Sequence, residues 1–159
     1  MKRNDQKKSR RRRRILELWT HAQARQALPY IASIVASVRE HRLEAQQYDL
    51  EVQRLAARPG RPNKLAIIAH QDAVSDAAAA NEKFLDDITE LQGLDIYCLD
   101  PVRGLAMIPT VNDNQLAWFL FDLFDEIPLE FWRYHGDPQE TRRPVSELAT
   151  GITEGPLVI

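Results

Sequence analysis

Cysteine is almost absent: Cys98 stands alone in a chain of 159 residues. One cysteine closes no internal disulfide, and proteins of oxidising compartments commonly rely on several, so a reducing, cytoplasmic setting is expected. Long apolar runs are missing as well. The longest, Leu116 to Phe121, falls far short of the roughly 18 residues that cross a bilayer. Near the N-terminus only Ile15, Leu16, Leu18 and Trp19 gather, broken by Glu17, well below the roughly 7–15 apolar residues of a secretory signal. No membrane contact is expected.

Signatures of chemistry are equally scarce. There is no Gly-x-Gly-x-x-Gly, no P-loop and no Gly-x-Ser-x-Gly, and nothing pairs a nucleophile with a base at readable spacing. His21, His41, His70 and His135 lie far apart, with no H-x₃-H pair and no second cysteine, a pattern unlike a zinc site. His70 reads as a boundary residue of a helix. The carboxylates Glu82, Asp86, Asp87 and Glu90 read as a solvated helix flank. No catalytic residue, metal or cofactor is therefore assigned, and a non-enzymatic role is favoured.

What is present begins with charge. Residues 1–14 hold Lys2, Arg3, Lys7, Lys8 and Arg10, Arg11, Arg12, Arg13 and Arg14 against Asp5 alone, a local charge of +8. With a net charge of −2 overall, the rest of the chain carries −10. A cationic arm on an acidic body is the pattern of an interaction tail or a solvated end, so 1–14 is expected to be a disordered polybasic tail. The length suits one further domain with a real core. We place that domain at 15–145 and a C-terminal tail at 146–159.

Ile15 to Trp19 reads as a short extended segment. Thr20 then offers a helix cap, with Gln23 in capping-box position, for a short helix over about 21–27. Pro29 suits the first turn of a second helix. From there to about Ala57, Leu28, Ile31, Val35 and Val38 recur at helical spacing, with Ile34 widening the stripe. The stripe fades where Arg42 and Asp49 interrupt it, while Leu43, Leu50 and Leu55 continue at a rotated angle. Arg58 to Asn63 (R-P-G-R-P-N) stops the helix. A second long helix follows to about Gln92 on Val74, Ala77, Phe84, Ile88 and Leu91, with Leu85 beside the stripe and Asn81 interrupting. Gly93 is placed to end it in the left-handed conformation. Two helices of about 43 Å joined by a short loop predict an antiparallel, coiled-coil-like hairpin over 29–92.

After Gly93 the apolar period drops from 3.6 to 2. Strands are predicted at Asp95–Leu99, Leu105–Ile108, Leu116–Phe124 and Phe131–Tyr134, separated by turn chemistry at 100–104 and 112–114 and a break at Pro128. From His135 onward the composition reads as loop. The fold class is thus α+β: a long antiparallel helical hairpin packed on a small antiparallel β-meander of three to five strands over 94–134. Along the central strand Leu116, Trp118 and Leu120 face one way and Phe119, Phe121 and Leu123 the other, so both faces are apolar. One helix pair covers one face. The second is expected to meet Ile15–Trp19, the C-terminal tail or a second subunit, which makes a homodimer an expectation.

These residues resemble a known family. Trp19-Thr20 followed by Ala22, Ala24 and Ala27-Leu28-Pro29 looks like the opening of domain-of-unknown-function family 2203, an uncharacterised bacterial family. Glu90-Leu91, Asp100-Pro101, Gly104-Leu105, Ile108-Pro109, the Leu116–Phe121 strand, Phe131-Trp132 and Arg143-Pro144-Val145 follow in matching order across about 19–145. The resemblance supports the layout and implies no activity. In the family the tryptophan is typically followed by His and an acidic residue. Here Arg133 follows Trp132, with His135 and Asp137 later, so a role built on that histidine does not transfer directly.

Two candidate sites emerge. Arg10 to Arg14 would contact nucleic acid (RNA, ribosome or DNA) or another polyanion through counterion release and bidentate phosphate pairing. The competing reading is a solvated tail or a nuclear-localisation-type address. The other candidate is a ligand site at Trp132, Arg133, His135 and Asp137, where a strand enters a loop. Against it stands the ordinary use of strand aromatics as core and of His-Gly-Asp as a turn. The leading function is a non-enzymatic protein-interaction or scaffold protein with a basic arm. The alternative is a small enzyme or ligand-binding protein at Arg133, His135 and Asp137.

Overall fold

The computed structural model describes residues 15–148 and 157–158. The polybasic arm, Arg10 to Arg14 included, and residues 149–156 and 159 lie outside the described residues.

The chain opens with a two-residue strand, β1 (Ile15–Leu16), then a short helix, α1 (His21–Gln26). Thr20 Oγ1 accepts from the Gln23 amide and Gln23 Oε1 accepts from the Thr20 amide, both at 3.0 Å, so the expected capping box is formed. Ala27, in right-handed helical geometry, leads directly into α2 (Leu28–Ala56), with Pro29 in its first turn where no intrahelical donor is needed. Asn63 caps α3 (Lys64–Gly93) by accepting from the Ala66 amide at 2.9 Å. The two helices form the expected antiparallel pair.

Their seam changes along its length. Near the sheet it is built from Ile31, Ile34, Val35, Val38 and Leu91, with Phe84 and Ile88 packed alongside. Further out the buried positions are Ala45, Ala73, Ala77 and Ala80. Val74, expected on the seam, is exposed, and its neighbour Ala73 is buried in its place. A small side chain suits close approach of two helix axes, and a branched one does not fit there.

The end of α3 also differs from expectation. Gly93 is the last helical residue, and the left-handed position falls to Asp95 at φ 57°. The Asp95 amide bonds the Gln92 carbonyl and the Ile96 amide the Leu91 carbonyl, each at 3.0 Å. This is the Schellman pattern, and its usual apolar contact is supplied by buried Leu91 and Ile96. The stop consumes Asp95 and Ile96, so the first sheet strand, β2 (Tyr97–Asp100), begins two residues later than predicted.

A five-stranded antiparallel meander follows in the order β2, β3 (Leu105–Asn112), β4 (Gln115–Asp122), β5 (Phe131–Tyr134) and β6 (Arg143–Pro144). At the β2–β3 turn Asp100 Oδ1 accepts from the Val102 and Arg103 amides, and Gly104 takes φ +68°. Asp113 and Asn114, at φ 50° and 58°, form the two-residue turn that lets β3 run on to Asn112 in register with Gln115. The strand β6 falls in the stretch whose composition reads as loop. Pro144 removes one donor, which an outermost strand tolerates, and the Val145 amide still bonds the Glu130 carbonyl at 3.0 Å. A 3₁₀ turn at Val145–Glu147 then seats Val145 and Leu148 against the core. Finally β7 (Leu157–Val158) pairs with β1.

The inner sheet face, with Ala106, Ile108, Ala117, Phe119, Phe121 and Trp132, meets the helix pair in one core. On the outer face Met107, Trp118 and Arg133 are buried within a single chain, so this face does not need a second subunit to shield them.

Candidate functional site

Strand alternation separates the four residues singled out in the sequence. Trp132 belongs to the inner face: it is buried in the core, and its indole donates to the Pro144 carbonyl at 3.0 Å. Arg133 faces outward, directly across from Trp118 in the β4–β5 register. The Trp118 indole donates to His135 Nδ1 at 3.0 Å, which fixes the imidazole tautomer with its proton on Nε2 when neutral. Trp118, Arg133 and His135 therefore share one face, with the imidazole exposed at the strand end.

Asp137 serves a different partner. Its carboxylate takes both arms of the Arg143 fork, at 2.8 and 3.0 Å, and accepts from the Tyr134 amide at 2.9 Å. The Arg143 bond holds the Asp137 carboxyl below its ordinary range, and the same pairing raises the Arg143 guanidinium. That guanidinium also lies 5.7 Å from the Trp132 ring centre and 5.1 Å from that of Tyr134. Tyr134 in turn packs edge-on against Trp132 at 4.8 Å, and its hydroxyl accepts from Asn112 Nδ2 at 2.8 Å. Arg143 and Asn112 lie outside the site expected from the sequence, and Tyr134 falls within its span. Only the Arg143-Pro144-Val145 resemblance pointed there.

Arg133 is the unusual member. It is 8% exposed, and among the described residues no carboxylate pairs with it directly. Nη1 donates to the Asp137 carbonyl at a long 3.3 Å, Nη2 reaches the Met107 thioether at 3.4 Å, and Nε is buried without a partner. A buried guanidinium normally forks onto a carboxylate or phosphate. Here most of that donor capacity is unspent.

A second polar group lies between the helices. His41 Nδ1 and the Ser37 hydroxyl both meet Asp87 Oδ2, at 2.6 and 2.9 Å. The residue types match a hydrolytic triad but the arrangement does not. A serine nucleophile needs the ring nitrogen as its base, with the carboxylate behind the other nitrogen. Here serine and imidazole share one carboxylate oxygen, which makes the group a helix-to-helix clamp. Asp87, read as part of a solvated flank, is half-buried in it. One helix-face clue was available: Ser37 and His41 are one turn apart.

The other cavities are either small or open to solvent. The cleft lined by Leu105, Leu120, Pro128, Phe131 and Arg142 holds about 70 Å³, too little for an ordinary small-molecule site. A more open groove of about 490 Å³ lies between α1 and the segment before β5, lined by His21, Arg25, Leu28 and Leu129. Burial, and then the Arg25 charge, lower the basicity of His21 there. The Cys98 thiol is pushed up to about 11 by burial and by Asp100, so it is a poor nucleophile. Among the described residues no group of three or more His, Cys, Asp or Glu could hold a metal ion, and no helix is long and apolar enough to cross a membrane.

Comparison with protein families matches the chain to the model described as an uncharacterized conserved protein (DUF2203), over residues 17–145. The chain belongs to the DUF2203 family. The matched stretch begins just after β1, spans the helix pair and the whole five-stranded sheet, and ends at the 3₁₀ turn. The DUF2203 region thus contains both the Arg133 face and the helix clamp. No curated protein and no solved structure matches the chain.

Proposed function

We propose that this DUF2203 protein is a non-enzymatic, cytoplasmic protein-interaction or scaffold protein. The helix pair docks the partner, and the basic arm, Arg10 to Arg14, adds electrostatic attachment to RNA, ribosome, DNA or another polyanion. The observation that carries the reading is the apolar surface of the outer hairpin. On the half of the pair that the Ala-lined seam holds together, Leu50 and Leu65 are 64% and 76% exposed, and Ile67 and Ile68 are 47% and 44% exposed. Scattered exposed leucines are ordinary, but a group of them on one protruding element is a docking surface. Arg58, Arg61 and Lys64 at the turn favour an acidic partner segment.

The test has two arms. Leu50→Glu and Leu65→Glu, made together, should abolish capture of the partner that the wild-type chain retains from its native lysate. Unchanged capture overturns the docking reading. Deletion of residues 1–14 should remove co-purifying nucleic acid and flatten its salt dependence. Unchanged co-purification overturns the role of the arm.

The unspent donors of Arg133 favour one other reading, a small enzyme or ligand-binding protein whose substrate carries a carboxylate or phosphate. The anion would take Nε and, by displacing the flexible Met107 thioether, Nη2. Thermal melts across carboxylate and phosphate compounds should show stabilisation in the wild type and none in Arg133→Met. Equal shifts in both proteins would end this reading.

A further inference from the structure

The helix α3 carries two apolar lines. One, through Ala73, Ala77, Ala80 and Leu91, faces α2 and is buried. The second runs through Ile67, Val74, Ala78 and Leu85, about 100° round the helix at 3.6 residues per turn. Among the described residues nothing covers it: Ile67, Val74 and Leu85 are 47%, 46% and 60% exposed, and Ala78 is exposed with them.

The second line has an internal symmetry. Ile67 and Leu85 lie nine residues either side of Asp76, and Val74 and Ala78 lie two residues either side of it. Gln71 and Asn81, the polar residues that share the line, lie five either side. A line whose apolar and polar positions match outward from its centre is self-complementary when two copies meet antiparallel across a two-fold axis. Ile67 then packs on the partner's Leu85 and Val74 on the partner's Ala78, twice each. Gln71 meets the partner's Asn81. Asn81 Nδ2 already donates to the Ala77 carbonyl at 2.8 Å, leaving its amide oxygen as the acceptor for a glutamine donor. One such polar pair within an apolar seam fixes register.

Charge selects the same orientation. The hairpin turn and the start of α3 carry Arg58, Arg61 and Lys64, and the far end of α3 carries Glu82 and Asp86 beside the line. Antiparallel docking brings each basic end beside the partner's acidic end, with Lys64 near the partner's Asp86. A parallel arrangement would set like charge against like.

We propose that α3 is a self-docking surface on which a second copy of this chain binds antiparallel, burying Ile67, Val74, Ala78 and Leu85 around an axis that crosses the helix at the height of Asp76, which itself points away from the seam. This rests on the reading of the helix pair as a docking surface and names its partner. It also moves the expected dimer contact from the outer sheet face to the helices. The seam spans about 27 Å at 1.5 Å per residue. Such a contact falls at the small end of specific interfaces, below about 1,200 Å² in total, the class of weak and transient encounters, so micromolar concentrations are the range to test.

Sedimentation velocity of the full chain from about 1 to 200 µM tests it, since that range brackets a micromolar dissociation constant. A monomer–dimer equilibrium is expected, weakened at least tenfold by Leu85→Glu and, separately, by Val74→Lys, and weakened by added salt. Both positions are exposed, so the variants should fold, as circular dichroism will show. In a Cys98→Ser background, an equimolar mixture of Val74→Cys and Ala78→Cys chains should form a disulfide-linked heterodimer under mild oxidation. A monomer throughout, a dimer indifferent to both substitutions, or no preferred cross-link would each overturn the proposal. If self-association fails while the Leu50 and Leu65 variants still lose a captured partner, only the self-docking is wrong. If both fail, the docking reading falls with it.

Discussion

His41 Nδ1 lies 2.6 Å from Asp87 Oδ2, and through that contact the middle of α2 is bound to the last third of α3. Ser37 donates to the same oxygen at 2.9 Å. Replacement of Asp87 by Ala removes the shared acceptor of both groups. A loss of about 1–3 kcal/mol in urea denaturation is expected, the range for hydrogen bonds to a half-buried charged acceptor. If Asp87 were only part of a solvated flank, the change would stay within about 0.5 kcal/mol.

Phe119 is fully buried between the sheet and the helices. Phe119→Ala should cost about 3–5 kcal/mol from lost transfer energy and the cavity left behind. Leu65→Ala, at the exposed end of the hairpin, should cost no more than about 0.5 kcal/mol. The contrast in denaturation midpoints checks the burial pattern.

Two glycines should respond in opposite directions. Gly104 sits at φ +68°, and a Cβ there would lie 2.7 Å from Leu123 Cβ, so Gly104→Ala should destabilise by about 2 kcal/mol or more. Gly93 is helical with open space around it, and Gly93→Ala should stabilise by about 0.5–1 kcal/mol. Had Gly93 been the left-handed stop, alanine there would destabilise. Thermal melts of the two variants decide it.

The Asp137 carboxyl is held down chiefly by its fork onto Arg143. A carboxyl that is harder to protonate in the native state than in the unfolded chain stabilises above its ordinary value of 3.8 and loses that contribution as pH falls below it. The stability gap between wild type and Asp137→Asn should therefore hold from neutral pH to about pH 5 and shrink toward about pH 2. A gap that stays constant with pH would show that the pair contributes nothing through charge.

Arg133 supplies a test in the other direction. A buried cation with an unpartnered Nε costs desolvation that its remaining contacts do not repay, so Arg133→Met, in buffer free of binding anions, should leave stability unchanged or raise it by about 1–3 kcal/mol. Marked destabilisation would mean that the weak contacts to Met107 and Asp137 matter more than their geometry indicates.

The helix pair was legible because Ile31, Val35 and Val38 repeat at helical spacing, and the sheet because the period drops to 2 after Gly93. Turn residues marked their own positions, as Asp100, Gly104 and Asn114 show. Other features carry no one-dimensional mark. Ala73 reads as weakly apolar beside Val74, yet close packing of two helices selects the smaller side chain. Arg143 and Pro144 match no strand pattern, because an outermost two-residue strand is defined by the neighbour it pairs with. Arg133 alternates with core residues in a position that normally signals solvent, and only the third dimension shows it buried. The bond from His41 to Asp87 joins residues 46 positions apart, which no local pattern reports.

The replacement of Ile, Val, Leu and Phe by Ala along the helix seam divides the rod into a firm base and a loosely held end. Each outer turn removes less apolar surface from water than an inner one, so opening it costs less. Amide exchange should therefore slow steadily from the loop at Gly60 toward the sheet, and a partner gripping the far end would tighten whatever it touches. Tension applied at the turn would be taken up first by the outer turns and would reach β2 only through the firm inner ones.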